Sequence, residues 1–184
     1  MIKVGNFEAI KGGITLHGSG FIQVVLPNNT RMHVWHPGLP RTTHSPHGHF
    51  HNHRFSFKAT VLKGHQVNQR CDIIPRLEGT HTMISHDGDR LPSGARESYP
   101  VGQAKVILRS KEMISPGQNY YTPELEYHHT PNQGFVITLM EKLSAGTIHA
   151  SSVIEKGYAF DDTFDRFQFT PAELWQFVAE AFEA

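Results

Sequence analysis

Short apolar runs, each broken by Gly, Pro or Asn, set the pattern of this chain. The clearest are Phe21–Leu26, Met32–Trp35, Arg54–Leu62, Val67–Ile74, Lys105–Leu108 and Phe135–Met140. Their length and their β-branched and aromatic content predict strands. Turn signals separate them: Pro27-Asn28-Asn29, Lys63-Gly64, Asp87-Gly88-Asp89 and Ser115-Pro116-Gly117. Many short strands punctuated in this way predict an all-β sandwich or barrel. Two stretches interrupt the strand pattern, the His-, Pro- and Gly-rich His36–Gly48 and the polar Ser85–Tyr99, and both read as long loops.

The period changes from two to 3.6 only at the end of the chain. Thr170 can cap a helix, Pro171 suits its first position and Glu173 completes a capping box. Phe169 and Leu174 are spaced for a hydrophobic staple. Leu174, Phe177, Val178, Ala181 and Phe182 fall on one face. The expectation is a C-terminal α-helix over about 171–183, its stripe used for core packing or a dimer contact.

Composition narrows the class. The 184 residues suit a single domain spanning 1–184; apolar residues make up 38% and charged residues 18%. Lys plus Arg equals Asp plus Glu at 17 each, so net charge gives no reason to expect nucleic acid or a membrane surface as partner. The lone Cys71 allows no intrachain disulfide and no cysteine-based zinc site. That usage, with no signal-type apolar stretch in MIKVGNFEAIKGG and no run near the roughly 20 residues of a membrane span, gives a cytoplasmic expectation.

The unusual quantity is histidine, present 14 times. Histidine is the commonest protein metal ligand and is largely neutral at pH 7. The densest segment is Pro46-His47-Gly48-His49-Phe50-His51-Asn52-His53. In a strand, residues i and i+2 share a face, so His51 and His53 can aim both rings at one point. His47 and His49 have the same parity, and periodicity alone does not choose the pair. They read first as solvent-exposed loop residues, with alternative ligands or hydrogen-bond partners behind the ligands as the other readings.

A second segment, Gly117 to Asn132, gives the pair its context. Gly117, Pro123, His128 and Asn132 fall at the spacings of the second cupin motif, G-x5-P-x-G-x2-H-x3-N, with Leu125 at its second glycine. His51, His53 and Gly64 fall on the first motif, G-x5-HxH-x3/4-E-x6-G, with Ser45 at its opening glycine and Phe57 at its glutamate. The chain therefore resembles the cupins. That implies a double-stranded β-helix (jelly-roll) barrel, with a core at about 31–140 and a divalent metal on His51, His53 and His128. The motif spacing favours His128 over the adjacent His129. With Phe57 in place of the glutamate, the ligands are three neutral imidazoles, which leaves the ion its full charge and suits an anionic substrate. Imidazole suits Fe, Zn, Cu and Ni alike, so Zn, Ni, Mn or Cu stand as alternatives to Fe(II).

Within the cupins the chain is most similar to the thiol dioxygenases, through Trp35-His36-Pro37-Gly38 before the HxH, the absent glutamate, and His128-His129-Thr130-Pro131-Asn132. The resemblance implies Fe(II)-dependent oxidation of a small organic thiol by dioxygen to a sulfinic acid. Tyr121, seven residues before the third ligand, ranks first among Tyr120, Tyr121 and Tyr127 as a hydrogen-bond donor to substrate. The Ser-x-His-x-Tyr element of many thiol dioxygenases is replaced by Thr138-Leu139-Met140-Glu141-Lys142, and the family's substrate arginine has no counterpart before Arg31. Cysteine itself is thus disfavoured, and a substrate carboxylate would fall to Arg31, Arg41, Arg54, Arg70 or Arg109. Two other functions fit the same ligands: oxygenation of a catechol-like or diketone substrate, and a non-catalytic metal- or ligand-binding cupin. Cupins often pair, so a homodimer is also expected.

Overall fold

The computed structural model describes residues 13–41, 49–87, 89–132, 134–146, 149–159 and 164–184. His47 lies outside them. The strands in chain order are β1 (Ile14–His17), β2 (Phe21–Val25), β3 (Thr30–Trp35), β4 (His49–His51), β5 (Phe57–Lys63) and β6 (Gln66–Pro75). They continue with β7 (His81–His86), β8 (Tyr99–Ile114), β9 (Asn119–Thr122), β10 (Tyr127–His129), β11 (Val136–Lys142) and β12 (Ala150–Glu155), and helix α1 (Pro171–Glu183) follows. One sheet runs β1-β2-β3-β11-β5-β9. The other six strands close into a barrel, β10-β4-β12-β7-β8-β6.

Turn chemistry sets the connections. Asn28 and Asn29 both take positive φ, 58° and 57°, which a two-residue hairpin between β2 and β3 requires and asparagine tolerates. Gly64 joins β5 to β6 at φ 72°, where a Cβ would lie 2.2 Å from the carbonyl oxygen of Phe135. No other residue fits there.

The six clearest apolar runs fall on β2, β3, β5, β6, β8 and β11, with their ends less well placed, and the remaining strands carry no comparable run. The run Arg54–Leu62 starts pairing only at Phe57, because residues 52–56 leave the ladder to carry the chain between the sheets. The short run Lys105–Leu108 is the middle of a sixteen-residue strand. The strand is mostly exposed, and Gly102-Gln103 before the run and Arg109-Ser110-Lys111-Glu112 after it break the apolar pattern. The polar excursion after β7 spans residues 87–98, close to the expected loop.

Helix α1 occupies the predicted span. Thr170 Oγ1 accepts from the Glu173 amide at 3.3 Å, and Glu173 Oε2 accepts from the Thr170 amide at 2.7 Å. Phe169 stacks edge-on against Phe177 rather than Leu174 alone, with 5.6 Å between ring centroids. The buried stripe is Leu174, Val178 and Ala181, set on Leu16, Ile22, Val24, Met32, Val34 and Ile137. Each fully buried Leu- or Val-sized side chain there contributes roughly 1.5–3 kcal/mol. The stripe is therefore core. Among the described residues no helix is long and apolar enough to cross a membrane. A smaller cluster of Phe57, Ala59, Val61, Ile114, Tyr120 and Met140 packs inside β5 and β9. It forms the floor next to the histidines.

Candidate metal centre

Three short pieces of chain bring the expected histidines together. His51 ends β4, opposite both His128 of β10 and Ser152 of β12. His128 is also opposite Arg70 of β6. His53 lies two residues beyond the end of β4, so the pair is not held by strand alternation alone. Asn52 between them does the orienting. Its amide donates to Ser151 O at 3.0 Å, its Nδ2 to Ser151 Oγ at 3.1 Å, and its Oδ1 accepts from the Ser151 amide at 2.8 Å. With Asn52 locked onto β12, its two neighbours turn to the other side.

The segment before β10 is fastened to the same place. The Leu125 amide donates to His53 O at 2.9 Å, and Leu125 takes φ 62°. A branched side chain rarely adopts that left-handed conformation. The position is the one where the second cupin motif carries glycine. The motif glycines Gly64 and Gly117 are left-handed too, at 72° and 84°. The backbone thus keeps the bends that the motif spacing implied.

The ring centroids of His51, His53 and His128 form a near-equilateral triangle with sides of 4.9, 5.0 and 5.2 Å. One ligand atom from each lies within 4.8 Å of the others. His53 Nε2 and His128 Nε2 are 3.0 Å apart. Two imidazoles bound at right angles to one ion at about 2.1 Å would be about 3.0 Å apart. His51 Nδ1 is buried with no hydrogen-bond partner, which leaves a lone pair or a proton unsatisfied unless something else takes it. The donors therefore fit a divalent transition metal.

Electrostatics keep the three rings neutral. Burial, followed by the neighbouring His51, holds His53 and His128 well below the usual histidine range. Burial and His86 bring His51 down to about 4. Neutral imidazole is the ligating form. Phe57, at the motif's glutamate position, packs its ring 5.1 Å from that of His53 and 5.7 Å from that of His128. A fourth ligand from that position is replaced by an apolar wall.

The other expectations divide. His49 is buried on β4, not exposed in a loop, and His129 is buried on the opposite side of β10 from His128. Tyr120 points inward onto Phe57, whereas Tyr121 alternates to the other face of β9 and is 50% exposed. Tyr127 hydrogen-bonds Ser151. Asn132 does stabilise its turn. Its Oδ1 accepts from the Val67 amide and its Nδ2 donates to Gln66 Oε1.

A cavity of about 230 Å3 opens over the cluster, with His51 and His53 in its wall beside His17, His49 and His86. None of the five arginines expected to meet a carboxylate lines it. Arg70 and Arg109 pair with Glu126, Arg41 donates to Asn132 O and Arg31 to Gln23. Arg90, Arg96 and Arg166 line it instead. They come from the 87–98 excursion and the segment before α1, where no sequence spacing ties them to the histidines. The sequence matches no protein-family model and no curated protein.

Proposed function

We propose that the protein is a cupin-type dioxygenase that holds ferrous iron on His51, His53 and His128 and oxidises a small organic thiol to a sulfinic acid. The observation that carries this is the triangle of three neutral imidazoles, His128 buried and His51 and His53 half-buried in the wall of a small cavity. Iron, when bound, supplies the Lewis acidity that deprotonates a thiol and the redox chemistry that activates dioxygen. The overall reaction balances without a reductant: a thiol and dioxygen give a sulfinic acid, both oxygen atoms passing to sulfur, which loses four electrons.

The protein's own part is positional. Asn68 Oδ1 accepts a hydrogen bond from His128 Nδ1 and so keeps the proton off Nε2, the nitrogen that faces His53. Phe57 and Tyr120 exclude water from the floor. The cavity volume suits a substrate of a few heavy atoms. The Phe57 substitution supports a neutral ligand set, which leaves the metal's charge to be met by an anionic substrate.

The test is elemental analysis of anaerobically purified protein for Fe, Zn, Ni, Mn and Cu, beside His128→Ala. About one iron per chain, lost in the variant, followed by oxygen uptake with a thiol panel, is the expected result. Uptake only with catechol-like or diketone compounds would move the chemistry to that class. No stoichiometric metal after Fe(II) is added back would overturn the proposal.

A further inference from the structure

The two strands that carry ligands have little backbone pairing with each other. β4 and β10 are three residues each, and the ladder between them has one residue pair, His51 opposite His128. β4 is better paired on its other side, where His51 faces Ser152 and Phe50 faces Val153 of β12. Successive residues of a strand point to opposite faces. The row His128, His51 and Ser152 therefore has a second row behind it. Tyr127, Asn52 and Ser151 stand one position along from those three, in the same register. The bond from the Asn52 amide to Ser151 O, 3.0 Å, continues that register past the end of β4.

Side chains close this rear row. Ser151 Oγ accepts from Asn52 Nδ2 at 3.1 Å, and it shares a hydrogen bond with the Tyr127 hydroxyl. The Ser151 amide donates to Asn52 Oδ1 at 2.8 Å. The tyrosine on β10 thus reaches across β4 to β12. It bypasses the single ladder pair and ties the strand of the third ligand to the residue between the first two. Burial holds the Tyr127 hydroxyl above the usual tyrosine range, so it stays a neutral group that can donate and accept. Tyr127 stands opposite Cys71 of β6 and is not in the cavity wall. Its hydroxyl therefore acts on the site through Ser151 and Asn52.

We propose that Tyr127 is a positioning residue, whose bond to Ser151 fixes β10 against Asn52 and so sets His51, His53 and His128 into their triangle. Ligand rings on short strands keep their geometry only if the groups behind them are fixed, and losing such a group costs about 10–100-fold in metal affinity. The hydroxyl carries the role rather than the ring, whose packing survives in phenylalanine. The assignment rests on the three-histidine reading of the metal centre. It goes beyond that reading in naming what holds the ligands in place.

The experiment compares the full chain with Tyr127→Phe, Ser151→Ala, Ser151→Thr and Tyr158→Phe, the last at an exposed tyrosine beyond the end of β12. Co(II) is the probe, because its visible absorption reports ligand geometry. Imidazole nitrogen shifts of the metal-free protein report how the three rings are held. Tyr127→Phe and Ser151→Ala should bind Co(II) at least about tenfold more weakly, with a changed absorption band and changed shifts for His51, His53 and His128. The double variant should bind no more weakly than Ser151→Ala, since both changes break the same bond. Ser151→Thr, which keeps the hydroxyl, and Tyr158→Phe should match the parent. A purely structural tie would lower the melting temperature of Tyr127→Phe and leave its band and shifts as in the parent. That result would overturn the proposal, and so would additive losses in the double variant. If Tyr127→Phe does not fold, Ser151→Ala against Ser151→Thr gives the same two outcomes. If the parent itself takes no Co(II), the metal reading falls, and the shifts of the metal-free rings alone decide the role of Tyr127. Shifts unchanged in Tyr127→Phe would then remove it.

Discussion

Asn68 Oδ1 lies 3.0 Å from His128 Nδ1, across from β6 to β10, and both residues are buried. A side-chain amide oxygen can only accept, so His128 carries its proton on Nδ1 and offers a bare Nε2 toward His53. The bond therefore selects the tautomer that can ligate. Asn68→Ala should weaken metal binding by about 10–100-fold, in line with losses of partners behind ligating histidines. Competition with a chelator of known affinity measures it. An unchanged affinity would show that packing alone orients the ring.

Leu125 occupies a left-handed position that its side chain opposes. Replacing it with glycine removes roughly 1–2 kcal/mol of backbone strain, against the loss of a half-buried side chain. Leu125→Gly is expected to melt within a few degrees of the parent or above it, with metal content intact. Gly64→Ala should behave in the opposite way, because its added methyl meets a carbonyl oxygen. A destabilisation of about 1–3 kcal/mol by denaturant titration is expected.

Buried histidines make the fold sensitive to acid. His33 and His129 are held near 3 by burial, against the usual 6.5, and His17 and His49 shift the same way. A depressed folded pKa means that the unfolded chain takes up the proton first. Stability is therefore full above about pH 6.5 and is lost as the pH falls from there toward 3. Each such histidine costs about 1.4 kcal/mol per pH unit below 6.5. Two together at pH 5.5 would cost about 3 kcal/mol, a large part of the 5–15 kcal/mol typical of a domain. Thermal melts from pH 8 to 5 should show a flat region and then a steep fall. A melting temperature unchanged down to pH 5 would show these rings already protonated in the fold.

Tyr121 projects from the face of β9 opposite to Tyr120 and is half exposed. From that placement Tyr121→Phe should leave metal content unchanged and oxygen uptake within twofold. A fall of tenfold or more at constant metal loading would give the Tyr121 hydroxyl a part in the chemistry.

The sequence by itself determined the features that depend on neighbours in the chain. Thr170, Pro171 and Glu173 specify the start of α1 because capping is satisfied within one turn. Gly64 and Asn28-Asn29 specify bends because only such residues accept positive φ cheaply. The two motif segments pointed to His51, His53 and His128 through spacing. Tertiary structure decided what depends on distant pairing. His49 looked like a loop residue and is buried, because β12 and β10 close over β4. Asn68 carried no local signal, since its role exists only once β6 lies beside β10. Arg90, Arg96 and Arg166 are separated by up to 76 residues, counted from Arg90 to Arg166, in a chain of zero net charge. Only the fold sets the 87–98 excursion beside the segment before α1 and so brings all three to one cavity wall with His51 and His53, because that neighbourhood exists only once distant parts of the chain have packed.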